Sequence, residues 1–204
     1  RSKLSSSAAA SEVNKRQGKG FPGSFVRIID VDGNEVPPQT KGNIAVPLDL
    51  PALFKGYYKD EERTKAAAAG YYYVTGDLAH KDEDGYFWFE GRRDDIIISS
   101  GYTIGPFEVE DALTNHLAVK ECAVVASPHE IRGNIVKAFI ILQNNYEGND
   151  ELVKELQTFC KNEVAPYKYP RAIEFVDDLP KTNSGKIRRV ELRDAEIAKY
   201  NNRD

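Results

Sequence analysis

From Ile96 onward, apolar runs of strand length alternate with apolar stripes at helical spacing, and this alternation restricts the second half of the chain to a layered α/β or α+β unit. Ile96-Ile97-Ile98 and residues 123–126, 136–142 and 172–176 read as strands. Gly105-Pro106 announces a helix with proline at its first position, and Glu108, Glu110 and Asp111 suit the positive end of its dipole. Val109, Ala112 and Leu113 share the inward face of that helix. Further on, Leu152, Val153, Leu156, Phe159 and Cys160 lie on one face of a second helix that ends before Pro166, and a last helix runs roughly over 189–200. A unit of about a hundred residues results, an ordinary size for one domain.

The preceding residues have a different rhythm. Strand-like residues 25–29 meet the tight-turn signal Asp32-Gly33-Asn34, and residues 42–46 form the returning strand. Acidic residues open and alanines close a short helix over 60–69, and Asp84-Gly85 turns the chain into another β-rich run at 86–90. Charge then crowds into Gly91-Arg92-Arg93-Asp94-Asp95, a short connection between the two patterns. The expected fold class is α+β: a flexible Ser/Ala/Lys/Gly-rich lead-in over 1–20, a β-rich unit over 21–93 and a compact α/β unit over 94–204, without an internal repeat.

Composition narrows the function classes. Of 204 residues, 41% are hydrophobic and 29% charged, as in a globular protein rather than a disordered chain. No apolar run has the length of a membrane span, the first residues lack the apolar stretch of a secretory signal, and a cytoplasmic location is expected. A net charge of −4 argues against a general nucleic-acid binder, which needs a dominant basic field. The two cysteines, Cys122 and Cys160, fall on a strand-like run and a helical face and read as buried free thiols; without a Cys/His cluster a structural zinc site is not expected. Residues 80–91 imitate a calcium loop through Asp82, Asp84 and Gly85, but His80 and Gly91 replace its first and last ligands, which excludes an EF-hand.

Three short motifs carry the chemistry. Near the C-terminus Pro180-Lys181-Thr182-Asn183-Ser184-Gly185-Lys186-Ile187-Arg188-Arg189 presents Lys186 between a Ser-Gly pair and a helix start. Its ammonium is a compact charge on a flexible stem, suited to charge developing on a phosphate oxygen and an acyl carboxylate. The chain has no G-x-x-x-x-G-K-[ST] sequence, so Lys186 is not a P-loop lysine. Upstream stand Tyr73-Val74-Thr75-Gly76-Asp77-Leu78 and Gly91-Arg92-Arg93-Asp94-Asp95. Taken singly, each has an ordinary reading: a basic turn, a turn aspartate and a surface ion pair.

Together and in this order, the three motifs resemble the adenylate-forming superfamily of acyl-CoA synthetases, peptide-synthetase adenylation domains and luciferases. Ser99 to Glu110 (SSGYTIGPFEVE) and Ala165 to Arg171 (APYKYPR) look most like its medium-chain and acetyl-type acyl-CoA synthetases, and the resemblance covers nearly everything between Phe21 and Asp194. It implies that a carboxylic acid is joined to ATP as acyl-AMP and then passed to the thiol of CoA, with Mg2+ as a further cofactor. The chain would supply the tail of the large N-terminal domain and the whole small C-terminal domain, which rotates between the two half-reactions about a hinge at Asp94. Lys186 would bridge carboxylate and α-phosphate during adenylation. Asp77 would accept hydrogen bonds from the ribose hydroxyls, since a carboxylate offers two acceptors at the spacing of a cis-diol, with Arg92 on the same ribose or holding Asp77. Ser100, Gly101 and Tyr102 would line the pantetheine channel, where glycine allows close backbone approach. Arg132 and Lys161 fall where this subfamily places groups near CoA, and both read equally as solvated surface charges.

One departure stands out. Where the family pattern reads SGYRIG this chain has Thr103, and a hydroxyl cannot supply the arginine's charge to a phosphate. The phosphate loop, adenine-binding segment, magnesium-associated glutamate and acyl pocket of the family all belong to polypeptide upstream of this sequence. The fragment alone is therefore expected to be inactive, with the N-terminal part of the same enzyme as its partner. Two alternatives remain open at this point: an adenylation enzyme that loads a carrier protein, and a stand-alone binding module that keeps the fold without catalysis.

Overall fold

The computed structural model describes residues 16–202. It divides into two compact units, one ending at Asp94 and the other beginning at Asp95. In the first unit an antiparallel sheet has the order β1 (Arg16–Gly18), β6 (Phe87–Arg92), β5 (Tyr72–Lys81), β3 (Gly42–Pro47) and β2 (Arg27–Ile29), with β4 (Ala68–Ala69) also paired to β5. Its turns are closed by aspartates. Asp30 Oδ1 accepts the amides of Asp32 and Asn34 at 2.9 Å, and Gly33 takes a φ of 88° that a side chain would resist. Asp82 accepts the Tyr86 amide and the Trp88 indole N–H, each at 2.8 Å, so its carboxylate closes the β5–β6 hairpin.

Several elements differ from the sequence expectation. Residues 1–15 of the expected lead-in lie outside the described residues, and Arg16–Gly18 is a strand paired with β6 rather than a loose segment. Phe25 has a φ of 50°, which breaks the extended run and leaves β2 only three residues long. The helix expected over 60–69 is α1 (Glu61–Ala66), capped by Asp60, whose side chain accepts the Arg63 amide at 2.9 Å. It stops early because Ala68 and Ala69 pair with Tyr73 and Tyr72, so sheet pairing overrides alanine's helix propensity.

The second unit begins with a 3-10 turn, Arg93–Asp95 reaching back across the boundary, and a hairpin of β7 (Ile97–Ser99) and β8 (Tyr102–Ile104). Next come α2 (Pro106–Thr114), β9 (Val119–His129), β10 (Gly133–Leu142), α3 (Asp150–Glu163), β11 (Ala172–Phe175) and α4 (Arg189–Asn201). β9 and β10 are antiparallel, while β11 runs parallel to β10, a pairing that requires a crossover, which α3 provides. Both sheet faces are covered. Cys122, Val124, Val136, Ala138 and Ile140 pack with Val109 and Leu113 of α2 and Leu152, Leu156 and Cys160 of α3. Ala123, Val125 and Phe139 face the other way, toward Leu179, Ile187 and Leu192. Burial on both faces explains why β9 and β10 read as nearly continuous apolar runs. Cys122 and Cys160 are free and buried, and burial pushes both thiols upward, away from nucleophilic thiolate.

Glu196 fastens α4 to this sheet. Its side chain, only 5% exposed, accepts from Lys137 Nζ at 2.7 Å, from Ser127 Oγ at 2.8 Å and from Lys199 Nζ at 3.1 Å. Burial pushes the Glu196 carboxyl up, but the hydrogen bonds from Lys137, Ser127 and Lys199 outweigh it and hold the group below the ordinary glutamate value. A carboxyl depressed on folding stabilises fully above its unfolded value of about 4.3, and that stabilisation is lost as pH falls through the lower folded value. Urea midpoints should therefore fall in acid below about pH 4, and Glu196→Gln should be less stable at neutral pH with a shallower acid decline. Leu156→Ala should cost about 2–5 kcal/mol in urea unfolding followed by circular dichroism, since it empties a fully buried site between α3 and the sheet.

Candidate functional site

Lys186 sits at the end of a closed loop. Lys181 and Ile187 form an antiparallel bridge, the Thr182 amide donates to the Lys186 carbonyl at 2.8 Å, and the Gly185 amide donates to the Thr182 carbonyl at 2.9 Å. Thr182 Oγ1 accepts the Lys186 amide at 3.1 Å and lies 2.9 Å from Ser184 Oγ. Gly185 has a φ of 81° with open space where a Cβ would stand, so glycine serves the torsion and not a close approach. The backbone is thus fixed while the Lys186 side chain is exposed and has no ion pair or hydrogen bond among the described residues. A charge held out in this way is available to a ligand at little desolvation cost to the protein.

Asp77 and Arg92 are brought together within the first unit. They are register partners on β5 and β6, with Arg92 Nη1 3.8 Å from Asp77 Oδ1. Thr75-Gly76-Asp77, despite its turn composition, lies inside the ten-residue strand β5, where Gly76 adopts a φ of 83° and the register slips between Leu78 and Ala79. A bulge of this kind re-aims side chains at a strand edge. Thr75 Oγ1 donates to the Ile44 carbonyl at 3.0 Å and accepts the Asp77 amide at 3.2 Å, which anchors the motif to β3. The pair remains half-exposed, with side-chain exposures of 35% for Asp77 and 52% for Arg92, so the carboxylate is not consumed by its partner.

A third grouping gathers most of the residues expected near CoA. Ser100 and Gly101 are the two loop residues of the β7–β8 hairpin, with φ of 49° and 81°; positive φ at both centres is the geometry of a tight two-residue turn that follows strand twist. The Ser100 amide donates to the Arg132 carbonyl at 3.1 Å, and Arg132 Nη1 donates to Ser100 Oγ at 3.1 Å. Arg132 is therefore tied to the hairpin rather than freely solvated. Tyr102 stacks on Tyr167 with ring centroids 4.4 Å apart. Two positions along, Tyr169 carries Lys161 Nζ at 4.0 Å from its ring centroid and Arg171 at 5.0 Å. Tyr167, Tyr169 and Arg171 carry no individual assignment from the sequence; their signal is the interleaving of aromatic and basic residues in Tyr167-Lys168-Tyr169-Pro170-Arg171. Thr103 is exposed on β8 opposite Ile98. Asp94 is exposed in the 3-10 turn and is the last residue of the first unit.

The chain is similar to known proteins over most of its length. Residues 108–186 match the AMP-binding enzyme C-terminal domain. Over these residues the chain belongs to that domain family, and the relatives it matches are acyl-CoA ligases and synthetases. It is 65% identical over 179 residues to an uncharacterized acyl-CoA ligase, YtcI, of Bacillus subtilis, covering 88% of this chain and 34% of the relative. It is 50% identical over 185 residues to the mitochondrial acyl-coenzyme A synthetase ACSM3 of Homo sapiens, covering 88% of this chain and 31% of that protein. The crystal structure of the anthranilate CoA ligase AuaEII in complex with anthranoyl-AMP superposes with a TM-score of 0.80 at 38% identity, over 91% of this chain and 36% of the ligase. The chain thus spans about a third of the length of the curated relatives it matches. No helix among the described residues is long and apolar enough to cross a membrane.

Proposed function

We propose that this chain is the C-terminal part of an ATP-dependent carboxylic acid:CoA ligase that forms AMP, with the first unit as the tail of the large domain, the second as the whole small domain and Asp94 as the hinge. The observation that carries the reading is Lys186, an ammonium without an internal partner at the end of a backbone-locked loop. In the adenylating half-reaction it neutralises charge shared between the acid's carboxylate and the α-phosphate of ATP. Asp77 accepts from the ribose hydroxyls of the same nucleotide, and Arg92 orients it.

In the second half-reaction the Ser100-Gly101-Tyr102 hairpin, Arg132 and Lys161 receive CoA. Guanidinium and ammonium groups beside stacked tyrosines suit a phosphorylated adenine nucleotide attached to a slender thiol arm. Mg2+ enters as the counter-ion of ATP, and no residue of this chain is assigned to it. On the first unit Phe21, Phe25, Phe54 and Tyr58 are large and exposed, a surface that an N-terminal part of the same enzyme would cover. A cytoplasmic setting belongs to the same proposal and suits two unpaired thiols.

In the full-length enzyme, Lys186→Ala should slow acid-dependent ATP-pyrophosphate exchange about 100-fold or more, with thioester formation from supplied acyl-adenylate retained. Equal loss of both activities would remove Lys186 from the assigned role. Gly101→Val should do the reverse, because a β-branched residue cannot adopt the positive φ of the hairpin turn and would crowd the thiol's path.

A further inference from the structure

Glu110 and Arg189 form the most enclosed ion pair that touches the Lys186 loop. Arg189 Nε donates to Glu110 Oε1 at 2.9 Å and Nη2 donates to Oε2 at 2.6 Å, with side-chain exposures of 14% and 10%. Glu110 Oε1 also accepts the Val124 amide of β9 at 2.8 Å, and the Arg189 guanidinium lies 4.3 Å from the Phe107 ring centroid. One carboxylate on α2 is thereby bonded to the central sheet and to the first residue of α4, three positions after Lys186. The other end of the loop is fastened as well, since Lys181 Nζ reaches Glu121 Oε2 at 2.7 Å, and the Arg188 amide closes onto the Pro180 carbonyl at 2.8 Å.

α4 has a separate hold on the sheet in the Glu196 cluster. Nor is the pair a surface decoration, because a bidentate, desolvated contact has one geometry while an exposed ion pair has many. Its effect is on where the Lys186 stem starts. The lysine's side chain is free to turn, so its reach is set by the position of its backbone, and that position is referred to α2 and β9 through Glu110.

Resting on the reading of Lys186 given above, we infer that Glu110 and Arg189 are positioning residues for adenylation: through their buried bidentate contact they hold the loop at the setting from which Lys186 meets the carboxylate and the α-phosphate. They touch neither substrate nor nucleotide themselves. Loosening the contact displaces the ammonium from its transition-state partners, and a misplacement on the order of 1 Å can cost about 100-fold in rate. Substrate affinity is unaffected, because the ground-state contacts are made elsewhere.

The test uses the full-length enzyme carrying Glu110→Gln or Arg189→Lys, with Lys186→Ala alongside. Glu110→Gln keeps the acceptor for the Val124 amide and removes the charge; Arg189→Lys keeps the charge and removes the fork. Both should lower kcat for acid-dependent ATP-pyrophosphate exchange by about 10-fold to 100-fold, with KM for ATP and acid within about 2-fold and thioester formation from supplied acyl-adenylate near wild type. A purely architectural pair would lower both half-reactions together, so parallel loss, including loss through misfolding, overturns the inference, as does unchanged exchange in both variants. If Lys186→Ala itself leaves exchange intact, the reading of Lys186 fails first; if Lys186→Ala abolishes exchange while the two pair variants are silent, only the positioning role fails.

Discussion

A three-stranded sheet has two faces and little edge to spare, and the second unit is organised by the need to cover both faces of β9–β10–β11. Alternate residues of β9 supply the two layers, with Cys122 and Val124 toward α2 and α3 and with Ala123 and Val125 toward Leu179 and Leu192. The parallel entry of β11 makes α3 obligatory as a crossover, and the return from β11 delivers the chain to the opposite face, where α4 closes the stack. The Lys186 loop is the connection on that return path. Its location is therefore a consequence of sheet topology, and its conformation a consequence of local hydrogen bonds to Thr182.

Polar groups finish what apolar packing starts. Burying Glu110, Glu196, Lys137 and Arg189 is costly unless each finds a partner, and each does. Such contacts add orientation more than net stability, because the desolvation they require offsets much of the attraction. In the first unit the same division holds on a smaller scale, with Asp30, Asp60 and Asp82 closing two turns and a helix start around an antiparallel sheet.

Much of this was legible in residue order, and the parts that were not share a cause. Pro106 at a helix start, the Leu152-Leu156-Cys160 stripe and the apolar run 136–142 are local signals, and local rules placed α2, α3 and β10. Thr75-Gly76-Asp77 has turn composition and yet runs through β5, because pairing with β3 and β6, distant in sequence, decides its conformation. Glu110 reads in the sequence only as an acid suited to the positive end of its helix, whereas its partner Arg189 lies 79 residues away and holds it in the interior. The stacking of Tyr102 on Tyr167 and the tether between Ser100 and Arg132 are likewise long-range facts that no window of sequence contains. Lys186, Asp77 and Arg92 are singled out in the sequence because each belongs to a short motif, and the order of the three motifs carries the family resemblance.

The protein's one tryptophan is Trp88, whose indole N–H is bound to Asp82 and whose ring lies parallel to His80. Within this sequence, indole emission consequently originates in the β5–β6 hairpin, two strands that also carry Asp77 and Arg92. This chain thus carries a built-in optical reporter confined to one of its two units.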